Sequence, residues 1–295
     1  MTVTALANPT PQFTEGTYTV VVGGVSNNTA LLGNYYNYWI KSPHGTFDLT
    51  RSSRQPVTNP KTIPMTGSRK AAIIEPSRSA LVIIDMQNFF LHPTLSPGAT
   101  AGRAIVPATL NMIHGFRAAG MKVLWTFWGL DNYDLLTMPP ALLSSFSTNH
   151  TDNPLDSFGN DMGVVDGVEA GPKLMRGSWN ARPWGPLYEE QVNGVANGTD
   201  FYFNKNRLSG LWGAQTPLGL WLQENEITTL FFGGVNADQC VWGTFLDAYY
   251  KGFDVVYVED IAATTSPYYA TEMVKYNADS DGFLSNSTLI LPALE

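Results

Sequence analysis

The segment Ser79–Ile84 reads SALVII and closes on Asp85. A strand that is apolar on both alternating faces must be covered on both sides, which is the condition of a central strand in a parallel sheet. Parallel strands need crossover connections, and the chain downstream supplies them. Residues 102–119 place Ile105, Leu110, Ile113 and Phe116 on one helical face, and Gly120 stops that helix. A second strand follows at 121–128, and a third at 200–210 runs into a polar loop. Strands at 227–235, 253–260 and 283–291 alternate with helices at 217–224, from about Asp238, and at 267–278. A short helix covers 185–191, and residues 129–184 form a long, Pro- and Gly-containing insertion placed to wall a pocket.

Strands alternating with helices predict a doubly wound α/β fold. The expected architecture is a mainly parallel six-stranded sheet with helices on both faces, Rossmann-like and three-layered. Residues 1–78 differ: they are rich in Gly, Asn, Thr, Tyr and Pro, with β-prone bits at 18–22 and 36–40. They read as an N-terminal extended or β arm, ahead of a main domain at 79–295.

Three expected strand ends carry reactive groups. Asp85 closes the first, Lys205 lies at the end of the third, and Cys240 sits five residues past Val235 at the start of a helix. In a parallel sheet these ends share one edge, where ligands of open α/β sheets bind. Most lone cysteines are small buried hydrophobes. A cysteine in a helix's first turn is different, because free N–H groups and the positive dipole end favour its thiolate and can hold an oxyanion. The four histidines, His44, His92, His114 and His150, stand in no motif that pairs one with a nucleophile.

The segments ALVIIDMQNFFLHP (80–93), FYFNKNRLSGLWGAQTP (201–217) and GGVNADQCVWGTFLDAYYKGFDVVYVEDIAATTSP (233–267) resemble the isochorismatase-like cysteine hydrolase superfamily. The resemblance covers roughly 79–290 and is strongest to fungal members with an N-terminal extension. It implies a triad of Asp85 as general base, Lys205 as electrostatic partner and Cys240 as nucleophile. It also implies a cis peptide at Val235–Asn236 and an oxyanion hole made by the amides of Asn236 and Cys240. No cofactor is implied, and dimers or tetramers are common in the superfamily.

Nicotinamidases of that superfamily share an Asp-x-His metal arrangement after the second strand. Here the region reads WTFWGLDNYDLL (125–136), without histidine, so no metal is expected. Vinyl-ether-cleaving isochorismatases generally lack the cysteine, which favours cleavage of an amide, carbamoyl or imide C–N bond. Hydrolysis of an ester, lactone or vinyl ether at the same site is the alternative, and a non-catalytic binding protein is the third reading. Of eight tryptophans, several fall in the active-edge loops. Gln87, Phe90, Trp128, Trp179, Trp212 and Gln239 are the candidate pocket residues, for an apolar or planar small molecule.

The net charge of −8, without a basic cluster, argues against nucleic acid and anionic membranes as partners. No apolar run approaches bilayer length, and MTVTALANPTPQF lacks the features of a secretory signal, so a cytoplasmic location is expected.

Overall fold

The computed structural model describes residues 13–14, 17–18, 29–34, 36–148 and 152–295. The expected β bit at 18–22 therefore lies, beyond Tyr18, outside the described residues. Thr17–Tyr18 pairs antiparallel with Phe13–Thr14.

Ahead of the main domain the chain builds a small sheet of its own. Its strands are β1 (Ala30–Gly33), β2 (Tyr38–Lys41), β3 (Thr46–Asp48), β4 (Lys61–Pro64) and β5 (Ala71–Ile74), in the order β1-β2-β3-β5-β4. This sheet does not stand apart. Phe47, Leu49, Ile63, Ala72 and Ile74 join the same buried cluster as Leu81 and Ile83 of the main domain. Arg51 fastens it by a buried two-pronged ion pair to Asp254, at 2.7 and 2.8 Å.

The main sheet consists of β6 (Ser79–Ile84), β7 (Lys122–Trp128), β8 (Asp200–Lys205), β9 (Thr229–Val235), β10 (Asp254–Ala263) and β11 (Phe283–Ser285). Their order is β8-β7-β6-β9-β10-β11, and every neighbouring pair is parallel. All residues of β6 and β9 are buried, as their continuous apolar runs require.

Helices α1 (Val106–Ala118), α2 (Pro186–Ala196), α3 (Pro217–Glu224), α4 (Trp242–Tyr250), α5 (Tyr268–Asp281) and α6 (Ser287–Leu294) complete the layers. The buried residues of α1, α2 and α6 belong to one core cluster, and those of α3, α4 and α5 to the other, so the two sets cover opposite faces. On α1 the fully buried face is Met112, Ile113 and Phe116, while Ile105 and Leu110 are half-buried beside it.

The expected strand at 283–291 is a correction. Only Phe283–Ser285 is strand, and α6 begins two residues later. Asn286 caps that helix by accepting from the Leu289 amide at 3.1 Å, and Asp260 accepts from Ser287 N at 2.8 Å. An apolar run such as LILPAL has no period that separates strand from buried helix, so the capping asparagine decides.

The chain leaves β6 toward β7 and β8, then crosses to β9 on the other side. The order therefore reverses between β6 and β9, which puts Asp85 and Cys240 on either side of the switch point. Among the described residues no helix is long and apolar enough to cross a membrane.

Candidate active site

Asp85 follows β6 in a left-handed conformation, φ 49°. Aspartate tolerates this region better than most residues. The carboxylate is fully buried. Its Oδ1 accepts from the Trp128 amide at 3.1 Å, and its Oδ2 lies 2.9 Å from Lys205 Nζ. Lys205, at the end of β8, lies two strands away in the sheet and spans β7 to make that contact. Its Nζ also donates to the Arg207 carbonyl at 3.1 Å and stands 3.9 Å from the centroid of the Trp128 ring.

Cys240 lies in a π-turn, Ala237–Val241, that leads into α4. The peptide before it, Val235–Asn236, is cis. Gly234 is required one residue earlier: its φ is +119°, and a Cβ there would stand 2.0 Å from the Ile84 carbonyl oxygen. The loop is tied to the end of β10 by Asp238, which accepts from the Thr264 hydroxyl at 2.6 Å. Thr244 on α4 donates to the Cys240 carbonyl at 2.8 Å. The structure thus brings Asp85 and Lys205 into contact at 2.9 Å, with Cys240 buried close enough for the charges of both to act on its thiol.

The electrostatics differ from the helix-terminus expectation. Burial pushes the Cys240 thiol up to about 12; Lys205 pulls it down, and the Asp85 charge opposes that pull. Burial likewise raises Asp85, against the opposing pull of Lys205. Desolvation outweighs the helix end here because the sulfur has almost no solvent contact, at 3 % exposure. Burial thus favours the neutral thiol of Cys240 over its thiolate.

A cavity of about 770 Å³ is lined by sequence neighbours of Asp85, Lys205 and Cys240, though by none of the three themselves. Its wall includes a residue close in sequence to each triad member: Phe89 and Phe90 after Asp85, Leu208 after Lys205, and Gln239 before Cys240. The insertion supplies the opposite side, including Leu142 and Phe146. Lys173 also lines it, but its Nζ is bound by the carbonyls of Phe146, at 3.0 Å, and Asp156.

Of the six expected pocket residues, Phe90 and Gln239 line this cavity. The other four are placed elsewhere. Gln87 is buried and spends its amide on the carbonyls of Trp128 and Ala181, at 2.8 and 2.7 Å. Trp128 is fully buried beneath the triad. Trp179 packs edge-on against His92 at 5.0 Å. Trp212 is half-exposed and donates to Asn206 Oδ1 at 3.0 Å. Aromatic content near a strand end does not distinguish a wall of the pocket from its foundation.

The carboxylates nearest the second strand are otherwise engaged. Asp131 and Asp134 form a reciprocal helix cap and pair with Arg176 at 3.3 and 3.6 Å. Among the described residues no group of three or more His, Cys, Asp or Glu is placed to hold a metal ion. Of the histidines, His92 pairs with Asp166 and His114 with Glu190, His44 is exposed, and His150 lies outside the described residues.

A doubly wound parallel sheet with cysteine, carboxylate and ammonium converging at its switch point defines a class of α/β proteins whose site lies at the carboxyl edge. The chain belongs to the isochorismatase family: the Isochorismatase domain model matches residues 79–280. Solved structures share the fold. Nicotinamidase from Bacillus subtilis is 22% identical with a TM-score of 0.53, over 71% of this chain and 99% of that one. Pyrazinamidase/nicotinamidase from Streptococcus mutans is 20% identical with a TM-score of 0.54, over 70% and 99%. A cysteine hydrolase from Pseudomonas syringae pv. phaseolicola is 16% identical with a TM-score of 0.57, over 74% and 93%. The family match begins at Ser79, so the small N-terminal sheet lies outside it.

Proposed function

We propose that this protein is a cysteine hydrolase that cleaves a C–N bond of a small, non-peptide amide, carbamoyl compound or imide through a thioester-type intermediate. The observation that carries the reading is the buried cluster of Asp85, Lys205 and Cys240 at the switch point. Family membership and the likeness to structures named as nicotinamidases and a cysteine hydrolase support it.

In this mechanism Asp85 accepts the Cys240 proton as Sγ attacks the carbonyl carbon. Lys205 offsets the negative charge in a site where solvent does not screen it. The amides of Asn236 and Cys240 receive the tetrahedral oxyanion. As the C–N bond breaks, protonated Asp85 gives its proton to the leaving nitrogen. Water, deprotonated by Asp85, then attacks the acyl-sulfur bond, which releases the acid and restores the thiol. A raised carboxyl pKa suits this role, because the same group must hold a proton for an amine leaving group.

The cavity sets the substrate's size and character. Half of its lining residues are aromatic or aliphatic; the polar half includes Asp156, Asp161 and Lys173, whose Nζ is already bound by two carbonyls. A neutral, ring-sized or larger substituent fits that chemistry. The functional unit we assign is a homo-oligomer, which light scattering of the purified protein checks directly. The test of the reaction is turnover of a panel of amides, N-carbamoyl compounds and esters by wild type and Cys240→Ser. The reading requires amide or carbamoyl turnover that the variant loses. Turnover confined to esters favours the alternative bond.

A further inference from the structure

We infer that Asn206 is a positioning residue of this site, which fixes the Lys205 ammonium by holding the loop carbonyl to which it donates. The inference rests on the cysteine-hydrolase reading above. Lys205 ends β8 on a flexible stem, and its Nζ must stay 2.9 Å from Asp85 Oδ2 for its charge to act there. Three groups surround that ammonium. Asp85 and the Trp128 ring, 3.9 Å from centroid to Nζ, lie at the ends of β6 and β7 and are placed by the sheet. The third is the Arg207 carbonyl at 3.1 Å, which lies in the loop that follows β8.

Asn206 holds that loop from two sides. Its Nδ2 donates to Asp134 Oδ1 at 2.6 Å, and its Oδ1 accepts from Trp212 Nε1 at 3.0 Å. The first bond ends on a carboxylate, which makes it one of the stronger kind. Asp134 is itself fixed, because its Oδ2 accepts from the Asp131 amide at 3.0 Å in the cap of the short helix Asn132–Thr137. Arg207 closes the clamp. Its guanidinium returns to the Asn206 carbonyl at 2.7 Å, lies 4.7 Å from the centroid of the Trp212 ring and reaches the Thr137 carbonyl at 3.4 Å. Asn206 stands between Lys205 and Arg207 in the chain, so pinning its side chain fixes the carbonyl that receives the ammonium.

The clamp gives a half-exposed tryptophan a role, since the N–H of Trp212 goes to Asn206 and its ring to Arg207. It also reaches the cavity. Asn132–Thr137 leads into the helix Pro140–Ser145, whose Leu142 and Ser145 line the cavity, and Leu208 lines it from the loop side. The triad does not line that cavity itself, and the clamp is a hydrogen-bonded link between its wall and the Lys205 ammonium.

The test is a double-mutant cycle on the full chain, read by iodoacetamide alkylation of Cys240, its single cysteine, at fixed pH. Lys205 favours ionisation of that thiol, so a displaced ammonium slows alkylation. Asn206→Ala slows it about fivefold, the size of one hydrogen bond. In the Lys205→Met background the same substitution has no effect, because no ammonium is left to position. No slowing in the wild-type background, or the same slowing in both backgrounds, overturns the inference. Should Asn206→Ala fail to fold, Trp212→Phe takes its place in the cycle, since it removes the donor to Asn206 and keeps a ring against Arg207 at a half-exposed position. Turnover supplies a second readout. A displaced ammonium lowers kcat at unchanged KM, whereas a rise in KM alone assigns Asn206 to the cavity wall and overturns the inference. Alkylation needs no substrate, so the cycle judges Asn206 whether or not the hydrolase reading stands.

Discussion

Lys205 Nζ lies 2.9 Å from Asp85 Oδ2, and the two side chains are 2% and 0% exposed. An ion pair this dry adds little net stability, because desolvation of both charges offsets their attraction. In the proposed mechanism its purpose is chemical: the pair supplies a base and a compensating cation beside the Cys240 thiol.

The pH dependence follows from that pair. Burial lifts Asp85 above its ordinary value of 3.8, and Lys205 opposes the lift. The base is active only when ionised, so kcat/KM rises with pH through the folded value of Asp85. Removing the cation in Lys205→Met takes away the opposing pull and moves the acid limb to higher pH. A pH–rate profile of both proteins checks this; a limb that stays in place contradicts it. Because burial pushes the thiol up to about 12, thiolate formation alone adds nothing below pH 9.

The cavity wall sets substrate preference. A phenyl-sized group buried there contributes about 2 kcal/mol, or roughly thirtyfold in kcat/KM over the corresponding acetyl compound. Leu142→Arg puts a charge into the wall and removes most of that gain, while iodoacetamide still labels Cys240. Steady-state kinetics on a matched series of neutral and carboxylate-bearing amides measures both effects.

Glu75 provides a stability test away from the chemistry. Burial pushes its carboxyl up, but the Thr58 and Asn59 amides, at 2.9 and 3.2 Å, more than offset this and hold it low. The contribution is therefore present above its ordinary value of 4.5 and is lost as pH falls through the lower folded value. Glu75→Gln costs about 1–3 kcal/mol at pH 7, and the gap to wild type closes in strong acid. Urea unfolding at pH 7 and pH 3 measures the difference.

The strands that bring the triad together were legible because a strand buried on both faces leaves a continuous apolar run. Ser79–Ile84 and Thr229–Val235 both do so, and each leads directly to a reactive residue. The state of Cys240 was not legible, because the helix end is visible in sequence while the burial that overrides it depends on neighbours far along the chain. For the same reason Trp128 read as a pocket aromatic: its burial comes from Phe146 and Phe158 in the insertion. Within that insertion one signal was available. Asp166-Gly167, with φ of 49° and 85°, turns a two-residue hairpin between Val164–Val165 and Val168–Glu169, as an Asp-Gly pair between β-formers should. Gln87 gave no signal, since its amide serves backbone groups that only the folded chain brings within reach.

Whether Cys240 is the nucleophile is decided most directly by intact-mass spectrometry of protein quenched in acid during turnover of the best amide in the panel. The account predicts a mass increase equal to the substrate's acyl group, mapped to the peptide containing Cys240 and absent from Cys240→Ser, which no longer turns over. Undiminished turnover by Cys240→Ser would contradict it.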